Sequence, residues 1–151
     1  MHYAHEMMTQ LPDPEYDADM YADVPSKRFM AWVIDVVLIS VVVALLVMMS
    51  LFIALIFLPA LYFMVSFGYR WLSLTAGSAT PGMWLMAIEI RDRHGQRLDP
   101  VTAFLHTAGY AFSVVTVPLQ LVSVAMMLTT ARRQGLTDMV LGTAALNRPA
   151  R

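Results

Sequence analysis

The chain has no cysteine among its 151 residues, so disulfide bonds, thiolate metal ligands and a thiol nucleophile are all excluded. Charge is scarce as well, because only 14% of the residues are charged whereas 58% are hydrophobic. Soluble globular domains carry about 25% charged residues. The composition therefore indicates one domain that has a membrane as its solvent.

Charge is almost missing from residues 29–67, in which Asp35 is the only charged residue. One helix over this run would be roughly 58 Å long, whereas a bilayer core is about 30 Å thick and needs about 20 residues. We therefore predict two spans, residues 28–50 and 53–74, folded as a helical hairpin with a short turn between them. Pro59 is expected to kink the second span.

A third apolar run follows Asp99 and Pro100, which are predicted to cap and open a helix. The run of about 30 residues exceeds one ordinary span and falls short of the roughly 40 residues needed for two. Pro118 near its middle can break the helix. Two predictions stay open: a third span over residues 102–129, which the limited length favours, and a broken hairpin that returns to its side of entry.

Residues 75–100, between the second and third apolar runs, are predicted to form a loop. Thr80 and Pro81 have the residue types of a helix cap and a first helical position. Residues 87–91 alternate between apolar and polar side chains, and a His-Gly turn separates them from residues 96–98. This pattern predicts a small β-hairpin in the loop.

Lys and Arg are absent from the first 24 positions, which carry six carboxylates: Glu6, Asp13, Glu15, Asp17, Asp19 and Asp23. This is the opposite of the basic start of a signal peptide. We predict an acidic disordered segment over residues 1–24, a transmembrane domain over residues 25–147 and a tail over residues 148–151. A short strand at residues 143–146 is expected near the end of the domain.

Basic residues flank the two ends of the first hairpin and fill the loop of residues 75–100, but none lies near the turn of the hairpin. Because positive charge favours the cytoplasmic side, the amino terminus and this loop are predicted to be cytoplasmic. Arg132 and Arg133 would lie outside after a single third span and inside after a broken hairpin. The predicted fold is an all-α integral membrane protein, with a helical hairpin, a third span that Pro118 can break and a small cytoplasmic β-hairpin.

Asp35 needs an explanation, since a carboxylate inside a span costs about 2.5 to 3.5 kcal/mol unless it is paired or hydrated. One interpretation is structural: Asp35 accepts hydrogen bonds or an ion pair from a neighbouring segment, such as Arg70 or Arg132 and Arg133. The other interpretation is functional: Asp35 binds a proton or a cation in a polar crevice between helices.

Three blocks of the sequence, KRFMAWVIDVVLI, ATPGMWLMAIEIRDRHGQRLDP and RRQGLTDMVLGTAAL, resemble the RDD family of small prokaryotic membrane proteins. That family is named for an Arg and an Asp in the first helix region and a second Asp near the end. The matching residues here are Arg28, Asp35 and Asp138. Two positions depart from the family pattern, because Met83 stands where a basic residue is usual and His106 where an Arg is typical.

The resemblance implies a multi-pass protein of the bacterial inner membrane and a transport function, with exchange of a monovalent cation for protons proposed for some members. Arg28, Asp35 and Asp138 would then form a cation and proton site or a structural charge network, in which Arg28 tunes the carboxylates. The supporting residues would be Thr80, Pro81, Gly82, His106, Arg132 and Arg133. A homo-oligomer is expected, because so few spans make a small conduit.

A non-transporting accessory or scaffold subunit of a larger membrane complex is the alternative, with the same charged residues acting as structural locks. No catalytic motif, phosphate-binding loop or metal-ligand spacing occurs in the sequence, so no enzyme, cofactor or metal site is predicted. The expected partners are the lipid bilayer and either further copies of the chain or a larger membrane protein. The basic residues suit anionic lipid headgroups better than nucleic acid.

Overall fold

Two long apolar helices dominate the computed structural model, which describes residues 9–148. Helix α1 is Val24–Met49 and helix α2 is Leu58–Gly77. A turn and a 3₁₀ helix, Ile53–Phe57, connect them. Both α-helices are long and apolar enough to cross a membrane, as the predicted hairpin requires. The prediction of a kink at Pro59 is wrong, because this proline lies in the first turn of α2, where its missing N–H costs nothing.

Helix α1 buries one narrow stripe along its length. The buried residues recur every four positions, which keeps their side chains on one helical face: Ala31, Asp35, Ile39, Val43 and Val47. The rest of α1 is apolar and exposed, with Val37 56% exposed and Leu45 54% exposed. A helix of this kind is suited to hydrocarbon on its outer face, and the stripe that includes Asp35 is its contact with the other helices.

A short helix, α3 (Pro81–Leu85), packs against α1 directly after α2 ends. Thr80 caps it, since its hydroxyl accepts a hydrogen bond from the Met83 N–H at 3.2 Å, which confirms the predicted cap. A Cβ atom on Gly82 would lie 2.2 Å from the Ala31 carbonyl oxygen. The close approach of α3 to α1 therefore requires a glycine at this position.

Two further helices, α4 (Pro100–Val115) and α5 (Val117–Thr129), meet at a bend of 116°. Asp99 caps α4 through hydrogen bonds from two backbone N–H groups, as predicted. Thr116 is not helical, and Pro118 cannot donate a hydrogen bond back across the bend. The third apolar run is therefore broken close to Pro118, as predicted, and a bend of this size fits both the broken third span and the broken hairpin.

The last elements are helix α6 (Leu136–Leu141) and strand β2 (Ala144–Asn147), which confirms the predicted final strand. Strand β2 pairs in antiparallel register with β1 (Ile88–Arg91), so the predicted hairpin partner of β1, residues 96–98, is wrong. Only a single bridge, between Arg91 and Arg97, remains of that hairpin. The physical reason is burial, because β2 adds three consecutive buried residues to the core.

Residues 9–23 pack against this two-stranded sheet. The prediction of a disordered segment is therefore wrong for this part of residues 1–24. Leu11 and Tyr21 are buried in a cluster with residues of β2. The Asn147 side-chain amide also donates hydrogen bonds to the carbonyl oxygens of Asp19 and Ala22, each at 2.8 Å. Residues 1–8 of the predicted acidic segment and 149–151 of the predicted tail lie outside the described residues.

The start of α1 and the end of the described chain lie side by side. The Lys27 ammonium donates a hydrogen bond to the Asn147 side-chain oxygen at 2.7 Å. Because β2 also pairs with β1, the loop after α2 and the segment after α5 are on the same side of the helices as the beginning of α1. The bent pair of helices therefore leaves that side and returns to it.

Candidate functional site

Asp35 is the first of two buried carboxylates, with 1% of its surface exposed. One of its oxygens accepts hydrogen bonds from the Tyr69 hydroxyl at 2.7 Å and from the Gly82 N–H at 2.8 Å. The other oxygen accepts one from the Thr80 hydroxyl at 2.5 Å. All three donors are electrically neutral. The carboxylate therefore links α1 to α2 and α3 without a cation in its hydrogen-bonding shell.

The basic partners predicted for Asp35 lie elsewhere. None of the ion pairs found among residues 9–148 includes Arg70, Arg132 or Arg133. The Arg133 guanidinium instead donates a hydrogen bond to the Leu128 carbonyl oxygen at 2.7 Å, near the end of α5. The prediction of hydrogen bonds to Asp35 holds, but the donors are the Tyr69 hydroxyl of α2, the Thr80 hydroxyl at the cap of α3 and the Gly82 N–H in the first turn of α3, where N–H groups lack helical partners.

Asp138 is the second buried carboxylate, also 1% exposed, and it has four hydrogen-bond donors. One oxygen accepts from the Arg28 guanidinium at 2.6 Å and from the Gly135 N–H at 3.1 Å. The other contacts the His106 Nε2 at 2.9 Å and accepts from the Thr143 hydroxyl at 2.8 Å. Asp138 thus joins the start of α1, the middle of α4 and the end of the chain.

The charges around Asp138 decide its protonation state. Burial alone would raise the pKa of the Asp138 carboxyl, but the positive charge of Arg28 and the hydrogen bond from His106 outweigh burial and hold this pKa well below its usual value. Because Asp138 is ionised, the His106 Nε2 carries the hydrogen that they share. The Arg28–Asp138 ion pair is therefore a charged link between residues 110 positions apart.

The two carboxylates also differ in how many of their lone-pair positions accept hydrogen bonds. An ionised carboxylate has about four lone-pair positions. The four donors of Asp138 occupy all of these, so a cation could bind there only if one of the existing bonds broke. The three donors of Asp35 leave about one position open.

Arg70 lies beside Asp35 in the fold and stacks on an aromatic ring. Its guanidinium carbon is 3.8 Å from the centre of the Tyr110 ring, and the residue is only 7% exposed. The Tyr110 hydroxyl accepts a hydrogen bond from the Trp32 indole N–H at 2.8 Å, which fixes the ring. Arg70 itself makes no side-chain hydrogen bond to any of residues 9–148.

Two cavities meet at these side chains. The larger, of about 640 Å³, reaches both carboxylates and is also lined by Arg28 and His106. The smaller, of about 310 Å³, extends along α2 as far as Pro59. Four residues line both cavities: Trp32, Asp35, Arg70 and Tyr110. No three His, Asp or Glu side chains within residues 9–148 are grouped in a way that could hold a metal ion.

The predicted site residues therefore fall into three groups. Thr80 and Gly82 bind Asp35, and Pro81 begins the helix that presents them. Arg28 and His106 bind Asp138, whereas Arg132 and Arg133 bind neither carboxylate.

Three contact residues were not predicted: Tyr69, which binds Asp35, Thr143, which binds Asp138, and Tyr110, which stacks on Arg70. Arg70 was predicted only as an ion-pair candidate. One signal for α2 was available, because Tyr62, Ser66 and Arg70 recur every four residues and so share one face of a largely apolar helix. No comparable spacing of polar residues in the sequence indicated which residues bind Asp138.

The two long apolar helices, with polar residues buried between them, indicate a helical membrane protein. More specifically, the chain belongs to the RDD family, since the model of that family matches residues 23–142, which is most of the chain. The matched segment includes Arg28, Asp35 and Asp138. No curated protein and no solved structure matched the chain.

Proposed function

We propose that this RDD family protein exchanges a monovalent cation for protons across the bacterial inner membrane, with Asp35 as the binding carboxylate. The observation that carries this proposal is the surroundings of Asp35. The carboxylate is buried between helices and lines two cavities, and its hydrogen-bond donors are all neutral. A carboxylate in a membrane domain that lacks a directly bonded cation is suited to take up a proton or a cation.

The proposal assigns Asp138 a structural role. Its negative charge is already balanced by Arg28 at 2.6 Å, and its lone-pair positions are filled. We therefore expect Asp138 to hold the carboxyl-terminal segment against α1 and α4, and Asp35 alone to exchange its ligand. This is narrower than the pair of cooperating carboxylates that the family resemblance implied.

The smaller cavity supports a route from Asp35 into the membrane. Tyr62, Ser66 and Arg70 line it from one face of α2, and it extends to Pro59 near the start of that helix. The eleven helical steps between Pro59 and Arg70 correspond to about 16 Å of helix, roughly half the thickness of a bilayer core. Hydroxyl groups along such a path can coordinate a cation or water molecules that carry a proton.

The proposed topology has a cytoplasmic amino terminus. The beginning of α1, the loop after α2 and the segment after α5 share one side of the helices, and nearly all the Lys and Arg residues belong to these parts. This arrangement agrees with the bias of positive charge towards the cytoplasm. The pair α4 and α5 then enters from the cytoplasm and returns, so α1 and α2 are the two complete crossings.

Two complete crossings leave little room for a conduit inside one chain. Much of the apolar surface of α1 faces away from the other helices, with Met49 81% exposed and Val37 56% exposed. We therefore propose a homo-oligomer in which the route continues between protomers. Neither a catalytic residue nor a cofactor is needed for this function.

Transport can be tested with purified protein in proteoliposomes that contain a pH-sensitive dye. An inward gradient of Na⁺ or K⁺ should drive proton release from wild-type vesicles, and Asp35→Asn should abolish it. Asp19→Asn is the matched control, because the exposed Asp19 side chain forms no hydrogen bond within residues 9–148. Unchanged proton flux in Asp35→Asn would refute the assignment, and no flux in the wild type would refute transport of these ions.

The topology can be tested by labelling, because the natural chain offers a cysteine-free background. Single-cysteine variants Arg133→Cys and Met49→Cys would be treated with a membrane-impermeant maleimide in intact cells. We expect labelling at position 49 and protection at position 133 until the membrane is opened. Labelling of position 133 in intact cells would contradict the proposed return of α4 and α5.

An accessory subunit of a larger membrane complex is the second candidate. The observation that favours it is the ordered segment of residues 9–23, which presents exposed carboxylates on the sheet at the proposed cytoplasmic face. Copurification in mild detergent tests this function. A stoichiometric partner that is lost when the exposed carboxylates Glu15, Asp17 and Asp19 are changed to their amides would favour it, and a homo-oligomer without a partner would count against it.

A further inference from the structure

The larger cavity is lined by a cation, Arg70, that forms no ion pair within the described residues. Arg70 is 7% exposed. Tyr110 covers one face of the guanidinium. Stacking of this kind leaves the N–H groups at the edge of the guanidinium free to donate to a planar oxyanion.

The other charged groups of this cavity have hydrogen-bond partners within the protein. Arg28 is bonded to Asp138 at 2.6 Å, and both oxygens of Asp35 accept hydrogen bonds from neutral donors. His106 also lines the cavity, but its Nε2 atom is bonded to Asp138 and its Nδ1 atom is buried. Arg70 is therefore the charged group of this cavity that still has donor capacity.

The remaining wall of the cavity is mostly apolar. Its size of about 640 Å³ falls within the range of about 300 to 1,000 Å³ that is usual for small-molecule sites. Aromatic, methionine and aliphatic side chains supply most of the wall: Phe29, Met30, Trp32, Val124, Met127 and Leu128. A small hydrated ion would leave this wall without a partner, whereas a hydrocarbon body would cover it.

We propose that the larger cavity binds an amphipathic anion, with an oxyacid head group on Arg70 and a hydrocarbon body against the apolar wall. A bidentate contact between an arginine and a phosphate or carboxylate gives both charge balance and orientation. An anionic phospholipid of the bilayer and a free fatty acid share this chemistry. The site is separate in role from Asp35, because the ligand binds the cation of the cavity and leaves the carboxylate to its neutral donors.

Trp32 provides a reporter, since it lines the cavity and is one of only three tryptophans in the chain. In a background with Trp71→Phe and Trp84→Phe, delipidated protein in neutral detergent would be titrated with dibrominated phosphatidylglycerol or dibrominated phosphatidylcholine. We expect the anionic lipid to quench Trp32 fluorescence at about tenfold lower concentration. Equal quenching by the two lipids would overturn the proposal without any variant at Arg70.

Two variants test whether Arg70 is the residue that binds the anion. Arg70→Gln should remove the preference for phosphatidylglycerol, whereas Arg97→Gln, an equal change of charge in the exposed loop, should keep it. An unchanged preference in Arg70→Gln would overturn the role of Arg70. Competition by dodecanoate distinguishes the two sources, because relief of quenching at low concentration identifies a free fatty acid and persistence of quenching identifies a lipid headgroup.

Discussion

Asp35 and Asp138 are equally buried, but the groups that bind them differ in charge. Asp35 is held by two hydroxyl groups and one backbone N–H. Asp138 is held by a guanidinium, an imidazole, a hydroxyl and a backbone N–H. The first carboxylate joins helices that are neighbours in sequence, and the second joins the two ends of the domain.

We expect this difference to separate stability from the proposed function. Removing one partner of a buried ion pair leaves an uncompensated charge, which is among the most destabilising single changes in proteins. Removing a charge that is held by neutral donors leaves no opposite charge behind. Asp138 is therefore expected to matter most for folding, and Asp35 most for exchange of a proton or cation. The following predictions test that division.

Asp138→Asn is expected to have the largest effect on stability. It leaves Arg28 partly buried without its counter-charge, so the free energy of unfolding should fall by about 3 to 5 kcal/mol. Reversible unfolding in mixed micelles, followed by circular dichroism as SDS is added, measures this change. Asp19→Asn should shift stability by less than about 0.5 kcal/mol. An equally small shift for Asp138→Asn would show that the ion pair does not stabilise the fold.

Gly82→Ala should have the next largest effect, because the new methyl group would lie 2.2 Å from the Ala31 carbonyl oxygen and 2.7 Å from an oxygen of Asp35. Overpacking of this kind costs about 1 to 3 kcal/mol. Gly68→Ala is the matched control, since no atom lies within 4 Å of the added methyl group. The same unfolding titration should show Gly68→Ala unchanged or stabilised. Equal stability of the two variants would contradict the close packing of α3 on α1.

Asp35→Asn should cost less stability than Asp138→Asn, about 1 to 2 kcal/mol, because the amide oxygen keeps part of the hydrogen bonding and no cation is stranded. The same variant should nevertheless abolish ion-driven proton flux. Measuring unfolding and flux on one preparation separates the two properties. A loss of stability as large as that of Asp138→Asn would remove the distinction between the carboxylates.

The smallest expected effect is that of mildly acidic pH on the stability that the Arg28–Asp138 ion pair provides. The pKa of Asp138 is lowered in the folded protein. The contribution of Asp138 to the free energy of unfolding is therefore fully present above the pKa of the unfolded chain, about 3.9, and is lost as the pH falls through the lower pKa of the folded protein. The stability difference between wild type and Asp138→Asn should therefore not narrow between pH 7 and pH 5. Narrowing in that interval, measured by the same titration, would mean that the carboxylate is protonated there.

Some of the fold could be predicted because its causes are local. The helical hairpin follows from a long apolar run, and the caps at Thr80 and Asp99 follow from residue types next to prolines. The partner of β1 could not be predicted in this way. A nearby turn favoured residues 96–98, but the distant residues of β2 bury more of the core. A local sequence pattern does not show which of two candidate strands buries more of the core.

The candidate site shows the same limit. Asp35 stands out in sequence because a charge in an apolar helix is costly. Its donors do not stand out, since Tyr69 resembles an interfacial aromatic residue and the Gly82 N–H is a backbone group. Arg70 was expected to pair with Asp35, yet the Tyr110 ring covers its guanidinium. Which polar groups meet depends on helix rotation and packing, which an apolar sequence specifies weakly.

Hydrophobic length and isolated charge are properties of the chain, so the two long apolar helices and the buried charges that require partners could be predicted without the fold. Tertiary structure alone decided that Arg28 meets Asp138 across 110 residues and that Asp35 has neutral partners. The Arg28–Asp138 pair forms because the bend of 116° between α4 and α5 brings the segment after α5 back to the start of α1. Asp35 has neutral partners because α2 and the first turn of α3 supply only hydroxyl and N–H donors where they meet α1.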